Sequence, residues 1–221
     1  MNNNGEILGN LVVAVTMLED CPEFALLIPE VRVNLVYALP GAKTRQDVAA
    51  VEGRITAVRG RPHASGLPAF GASDHMARLI IEARKYDSAI NAGINFKCDK
   101  TIIEVVKEYC LKKGLLFGWI DRTKEPLEVI ERDGASMPWK IGELVRSSGG
   151  LPRLFYEGDG WGKEPLFVAL GSDAVEVTTM AMEIARCYGE RISTGTKTQF
   201  IPRVDKDLGD QWCSRWYFSY L

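Results

Sequence analysis

The chain has 221 residues, of which 46% are hydrophobic and 25% are charged, and its formal net charge is −2. This composition is typical of a globular protein of one or two domains and excludes the disordered and collagen-like classes. Nucleic acid is not expected as the main partner, because binding to a phosphate backbone needs a basic surface. A membrane span is not expected either, because the longest uncharged apolar stretch, residues 7–18, is shorter than the roughly 20 residues required.

Cysteine and histidine usage limits the metal and redox sites that the chain can build. The five cysteines are scattered and contain no Cys-x-x-Cys pair, which favours a reducing cytoplasm and buried structural thiols. The two histidines, His63 and His75, lie in segments with different predicted structure, and zinc sites built from histidine usually take two or three imidazoles. We therefore predict a cytoplasmic protein without zinc.

Hydrophobic periodicity predicts one compact domain that follows an N-terminal helix. Residues 1–21 place leucine and valine at helical spacing and form the predicted helix. Residues 22–193 form the predicted domain, which begins with a strand at 31–39 and a hairpin at 54–62. Residues 194–221 hold two of the five tryptophans and are assigned to a C-terminal tail, either a docking arm or vector-derived sequence.

Helices and strands alternate in the second half of the chain. The pattern predicts helices at 74–85, 100–113, 138–146 and 173–189, and strands at 94–98, 115–120, 154–156 and 165–170. Because hairpin signals interrupt this alternation, the sheet need not be all parallel. We predict an α/β fold with a mixed sheet.

The segment Ser73–Arg78 is the first candidate site. Ser73 is the predicted N-cap, because its oxygen can accept one of the unpaired first-turn N–H groups. His75 and Arg78 then share one face near the positive end of the helix. Together with free backbone N–H groups they would form a site for phosphate or diphosphate. An ordinary capped helix with solvated side chains is the alternative that this spacing leaves open.

A glycine-rich loop, Glu157–Pro165, is the second candidate. Its three glycines let the backbone approach a ligand closely, and Lys163 supplies a mobile positive charge for a phosphate. The loop is not a Walker motif, because no Gly-Lys-Ser/Thr follows four variable residues. A hairpin loop with an exposed lysine explains the pattern equally well.

Further candidates stand at strand ends. Arg54 follows a glycine at the start of a strand and could bind a phosphate with its guanidinium, although a surface salt bridge is commoner. Asp121 and Arg122 follow a buried strand, where sites gather in open sheets, and a charged loop is an equal alternative. Asn34 and Asn95 are weaker candidates, because polar residues in strands often bond to backbone groups.

Seven segments occur in the order found in one known family: Pro29–Ala42, Val51–Ile55, Phe70–Arg78, Ile94–Lys97, Asp121–Arg122 with Glu125–Pro126, Ser136–Trp139, and Gly162–Pro165. Together they resemble the ThiN-type thiamine-phosphate synthases of archaea over residues 22–190. The chain differs from the family pattern at Asn91, where arginine is common, at Lys140, where glycine is usual, and in the order Asp159-Gly160.

The resemblance implies a fold and a reaction. The fold would be three-layered α/β/α with a mixed sheet, similar to the AraD or class II aldolases, and the protein would form homo-oligomers. The family condenses hydroxymethylpyrimidine diphosphate with hydroxyethylthiazole phosphate to thiamine phosphate and diphosphate. In this family the domain is often fused behind a hydroxymethylpyrimidine phosphate kinase, and in some members to a helix-turn-helix repressor module. Arg54 and His75 match the family's catalytic arginine and histidine.

Other roles follow from the same hypothesis. Mg²⁺ is expected to bind together with the substrate diphosphate, with Asp159 and Glu157 as candidate metal ligands. A module that senses thiamine phosphate without catalysis is the alternative, whereas a metal-dependent aldolase would need three histidines. Substrate-binding residues are predicted at Arg78, Asn95, Asp121, Arg122, Gly162 and Lys163.

Overall fold

A seven-stranded mixed sheet forms the centre of the protein. The computed structural model describes residues 3–132, 134–158 and 164–194. Its strands are β1 Leu35–Ala38, β2 Val48–Val51, β3 Ile55–Val58, β4 Arg61–Ala64, β5 Pro68–Phe70, β6 Ala92–Lys97, β7 Phe117–Ile120, β8 Leu154–Glu157 and β9 Leu166–Gly171. The order in the sheet is β5-β2-β1-β6-β9-β8-β7, and β3 and β4 form a separate hairpin. Strands β7 and β8 run parallel and the other neighbouring pairs are antiparallel, so the predicted mixed sheet is confirmed.

Helices cover both faces of this sheet. They are α1 Asn3–Glu19, α2 His75–Ala83, α3 Lys100–Lys113, α4 Leu127–Glu131, α5 Ser136–Ser148 and α6 Ala174–Ser193. Consecutive strand residues point to opposite faces, so Leu35 packs with α1, α3 and α6 while Val36 packs with α2 and α5. The predicted N-terminal helix is present as α1, and its Ile7, Leu11 and Leu18 belong to the same core as α3 and α6. In the described part of the chain, no helix has both the length and the apolar content needed to cross a membrane.

Helix boundaries follow local capping chemistry, with one correction at the site. Asp99 caps α3 by accepting a hydrogen bond from the Ile102 N–H at 2.9 Å, as predicted. Helix α2 starts at His75 and is preceded by Asp74, so the prediction of Ser73 as its N-cap was wrong. Ser73 is instead buried. His75 is therefore the first residue of the helix.

The predicted strand at 31–39 is shorter than expected. Arg32 has a φ of 66°, which interrupts the extended backbone, and β1 begins only at Leu35. Between them Val33 pairs with Ile55 through an isolated bridge, with both N···O distances at 2.9 Å. Val33 consequently pairs with the β3–β4 hairpin, whereas the Asn34 carbonyl accepts from the Asn95 N–H of β6.

Two strands were not predicted from the sequence. Strand β2 is Val-Ala-Ala-Val and is buried at every position, so it lacks the alternation that identifies a half-exposed strand. Strand β5 is three residues long and begins with a proline. Pairing with β1 and with each other gives both segments their extended form.

Candidate active site

One cavity of about 330 Å³ collects most of the predicted site residues that the structure describes. Its lining comes from the 31–34 segment, the β2–β3 turn, the start of α2, the loop after β7, helix α5 and strands β6, β8 and β9. The polar lining residues are Asn34, Arg54, His75, Asn95, Arg122, Lys140, Glu157 and Glu164. Another cavity of about 360 Å³, between α3 and α6, contains none of the predicted site residues. The first cavity is therefore the candidate active site.

Arg54 is held at this cavity by an unusual backbone conformation. Its φ is 72°, in the left-handed region that residues other than glycine rarely adopt. The turn is fixed because the Arg54 N–H donates to the Val51 carbonyl at 3.2 Å and its carbonyl accepts from the Ser65 N–H at 2.9 Å. The guanidinium donates to the Val31 carbonyl. An arginine has five N–H donors, so most of them stay available to a ligand.

His75 reaches the cavity, whereas Arg78 does not. The imidazole of His75 lines the cavity from the first position of α2. Arg78 forms an ion pair with Asp74, with its Nε 3.1 Å from Oδ2 and about half of its side chain exposed. Arg78 is thus not among the described lining residues of the cavity, and its role in substrate binding stays a prediction.

A buried ion pair between Lys140 and Glu157 lies inside the cavity. The Lys140 Nζ is 2.5 Å from the Glu157 Oε2, and the two residues are 3% and 7% exposed. Burial raises the pKa of the Glu157 carboxyl, but the Lys140 ammonium, with additional attraction from His75 and Arg122, outweighs burial and holds the pKa below its ordinary value. Glu157 is therefore an ionised anchor beside Lys140, Arg122 and His75.

Lys140 was not predicted as a site residue, although the sequence carries a signal for it. The buried residues of α5 are Met137, Lys140, Ile141 and Leu144, which is the spacing of one helical face. A lysine on a core-facing stripe needs a buried acidic partner, because its charge is otherwise desolvated without compensation. That partner is Glu157, supplied by the end of β8.

Arg122 enters the cavity while the neighbouring Asp121 does not. The Arg122 side chain is 10% exposed, its Nη2 is 3.9 Å from Glu125 Oε2, and its Nε is buried without a hydrogen-bond partner among the described residues. Asp121 Oδ1 accepts from the Thr123 hydroxyl at 2.6 Å, which lowers the pKa of Asp121, and from the Thr123 N–H at 3.1 Å. Asp121 therefore caps the short turn that it precedes, and the Nε–H of Arg122 is a donor that a ligand in the cavity could use.

The 31–34 segment is held in place by two side chains, Asn95 of β6 and Glu164, which lies just before β9. Asn95 Oδ1 accepts from the Asn34 N–H at 2.6 Å, and its Nδ2 donates to the Arg32 carbonyl at 3.3 Å. Glu164 accepts from the Val31 N–H at 2.8 Å. Both polar atoms of the Asn95 amide thus bond to backbone groups of this segment. Asn95 orients the segment, whereas the sequence predicts that Asn95 contacts substrate.

Comparison with known proteins identifies the family. The profile described as "Thiamine-phosphate synthase ThiN" matches residues 10–183. The chain belongs to the ThiN family. It is 40% identical over 179 residues to "Thiamine-phosphate synthase ThiN" of Methanothermobacter thermautotrophicus, covering 81% of this chain and 92% of that protein. It is 34% identical to "Bifunctional thiamine biosynthesis protein ThiDN" of Methanocaldococcus jannaschii, covering 84% of this chain and 42% of that protein.

A solved structure agrees with this assignment. The crystal structure of the C-terminal domain of a phosphomethylpyrimidine kinase superposes with a TM-score of 0.78 at 33% identity, covering 82% of this chain and 99% of that domain. The predicted membership in the ThiN family is confirmed. Within the ThiN domain, Arg54 and His75 come from separate elements and line one cavity.

Several predicted residues lie outside the described part of the chain. The glycine loop is described only at its ends, so Asp159, Gly162 and Lys163 remain predictions, and the same holds for the tail beyond residue 194. Glu157, the other candidate metal ligand, contacts Lys140. Among the described residues, no three acidic, histidine or cysteine side chains are grouped as a metal site.

Proposed function

We propose that this protein is a thiamine-phosphate synthase that joins hydroxymethylpyrimidine diphosphate to hydroxyethylthiazole phosphate. Membership in the ThiN family supports this assignment. The observation that carries it is the meeting of Arg54 and His75 in one cavity with two further cations, Arg122 and Lys140. Two substrates that bear phosphate groups need such a concentration of positive charge and N–H donors.

The reaction is a substitution at the methylene carbon of the pyrimidine. The bond from this carbon to the diphosphate oxygen breaks, and its electron pair leaves on the diphosphate. The lone pair of the thiazole nitrogen then forms the new carbon–nitrogen bond, so no proton has to move. The enzyme's task is to stabilise charge on the leaving diphosphate and to align the two rings.

The cavity is suited to that task. Arg54 and the unused Nε of Arg122 offer donors to phosphate oxygens, and His75 stands at the positive end of α2. Glu157 holds Lys140 in place and offsets part of the positive charge of Lys140 and the two arginines before substrate arrives. Donors that are positioned in advance stabilise the departing charge without reorganisation.

Mg²⁺ belongs to this proposal as a companion of the diphosphate. Mg²⁺ in phosphoryl sites is usually held by substrate oxygens, waters and one or two carboxylates. Glu157 is engaged by Lys140, so we expect the ion to arrive with the diphosphate and to take its protein ligands from the 159–163 loop. Homo-oligomer formation and an AraD-like fold stay predictions from the family resemblance, and a cytoplasmic location stays a prediction from cysteine usage.

Steady-state assays of both half-substrates with Mg²⁺ test the function. We expect thiamine phosphate and diphosphate in equal amounts from the wild type, and a fall in kcat of roughly 100-fold or more for Arg54→Ala and for His75→Ala. Arg146→Ala is the matched control, because Arg146 is an exposed arginine that pairs with Glu143 away from the cavity. Binding of thiamine phosphate without turnover would instead identify a sensing module. Wild-type turnover in both cavity variants would remove Arg54 and His75 from the mechanism.

A further inference from the structure

The side chain of Asn34 carries a carboxamide that hydrogen-bonds to none of the described residues. Asn34 is 7% exposed and lines the cavity beside Arg54 and His75. Within residues 3–132, 134–158 and 164–194, its carboxamide makes no hydrogen bond. Its amide oxygen and nitrogen are not fully enclosed by protein, so a ligand in the cavity can reach them. The amide is therefore available to a ligand in the cavity.

The backbone of Asn34 is fixed so that only the side chain is free. Its N–H donates to Asn95 Oδ1 at 2.6 Å, and its carbonyl accepts from the Asn95 N–H at 3.2 Å. Asn95 is itself 4% exposed and its amide also bonds to the Arg32 carbonyl. Asn34 is thus held at both backbone groups by a buried neighbour. This is the arrangement expected of a residue that must present its side chain in one direction.

A carboxamide is complementary to one edge of an aminopyrimidine. The oxygen can accept from the exocyclic 4-amino group while the nitrogen donates to the adjacent ring N3, in the same way that asparagine reads the donor–acceptor pair of adenine. The charged groups that line the cavity do not offer a donor and an acceptor side by side. The arginines and Lys140 can only donate hydrogen bonds, and the Glu157 carboxylate can only accept them. The cations suit phosphate groups, so the neutral amide is left for the heterocycle.

We propose that Asn34 is the residue that recognises the aminopyrimidine ring, through two hydrogen bonds to its 4-amino and N3 edge. The inference rests on the proposed function and adds the residue that selects the pyrimidine. Its position next to Arg54 and His75 would bring the methylene carbon to the groups that receive the diphosphate. Asn95 acts only by orienting Asn34.

Equilibrium binding of the reaction product separates this role from catalysis. The probes are thiamine phosphate and its 4′-deamino analogue, titrated into wild type, Asn34→Ala and Asn34→Leu by calorimetry. Asn34→Leu keeps the side-chain size without polar atoms. Asn91→Ala is the matched control, because the Asn91 amide bonds to the Ala89 carbonyl away from this cavity.

Loss of the amino group should raise the Kd by roughly 10- to 100-fold in wild type and in the control. In both Asn34 variants the two ligands should bind within about threefold of each other. If removal of the amino group weakened binding equally in all four proteins while the wild type kept its turnover, the role of Asn34 would be overturned. The proposed function would still stand. A wild type that neither binds thiamine phosphate nor makes it would overturn both.

Discussion

Breaking the buried ion pair in the cavity should cost this protein a large part of its stability. In Lys140→Met the methionine keeps the volume of the lysine stem but removes the ammonium that lies 2.5 Å from Glu157. Glu157, which is 7% exposed in the wild type, is then left as a buried carboxylate without its main partner. Removing one member of such a pair usually costs 3–5 kcal/mol. We expect about 3 kcal/mol, the lower end, because Arg122 and His75 still attract the carboxylate.

Urea unfolding of four proteins measures this effect. Lys140→Met should lower the midpoint by about 1 M or more, given a denaturant dependence of about 3 kcal/mol per M. The double variant Lys140→Met/Glu157→Gln should recover most of the loss, because it leaves no buried charge uncompensated. The control Lys97→Met removes a half-exposed lysine whose Nζ is 3.6 Å from Asp99, and it should shift stability by less than about 1 kcal/mol.

The pH dependence gives a second measure of the same pair. Because the folded protein holds the pKa of Glu157 below its ordinary value of 4.5, this carboxylate contributes stability fully above that value and loses the contribution as the pH falls through the folded pKa. The stability difference between wild type and Glu157→Gln should therefore shrink as the pH drops below about 4.5. A Lys140→Met protein as stable as the Lys97→Met control, or a double variant less stable than either single one, would refute the reasoning.

Three further predictions concern backbone conformation, packing and thiol reactivity. Arg54→Gly should be about 1 kcal/mol more stable than Arg54→Ala in urea unfolding. Both variants lack the guanidinium, and only alanine bears the steric cost of a φ of 72°, so equal midpoints would contradict backbone strain at this position. Gly118→Ala should cost roughly 1–3 kcal/mol, because its Cβ would lie 2.6–2.7 Å from three side-chain atoms, whereas Gly9→Ala in open space should be neutral or stabilising by thermal unfolding. Burial raises the pKa of Cys110 to about 11, so at pH 8 its thiol is protonated and unreactive. Mass spectrometry should show that a thiol reagent modifies the exposed Cys187 and not Cys110, and modification of both at equal rates would contradict this.

The order of elements could be predicted because most helices are specified by local sequence patterns. Periodic apolar residues and side-chain caps depend only on neighbours, and α1, α3 and α6 were predicted within a few residues. Prediction failed where tertiary contacts override local preference. The strand at 31–39 is interrupted at Arg32, and β2 and β5 are extended because of their partners in the sheet.

The site divides in the same way. Arg54, His75 and Arg122 could be named from motifs and strand ends, and the fold brings all three to one cavity. Arg78 and Asp121 belong to the same motifs, but Arg78 pairs with Asp74, and Asp121 bonds to Thr123 and pairs with Lys124. Which of two neighbouring residues faces a cavity depends on backbone angles that the motif does not specify.

The sequence by itself determined the family, the mixed α/β architecture and the matched arginine and histidine, because motif order and local periodicity are properties of the chain. Only the tertiary structure decided that Lys140 and Glu157 form a buried pair and that the amide of Asn34 lines the cavity without a hydrogen bond to any described residue. These residues lie far apart in sequence, and the burial that gives each its chemistry arises only when the sheet, α5 and the 31–34 segment pack together. The near-balanced charge of the chain follows from simple counting, whereas the concentration of cations in one cavity is a consequence of the fold.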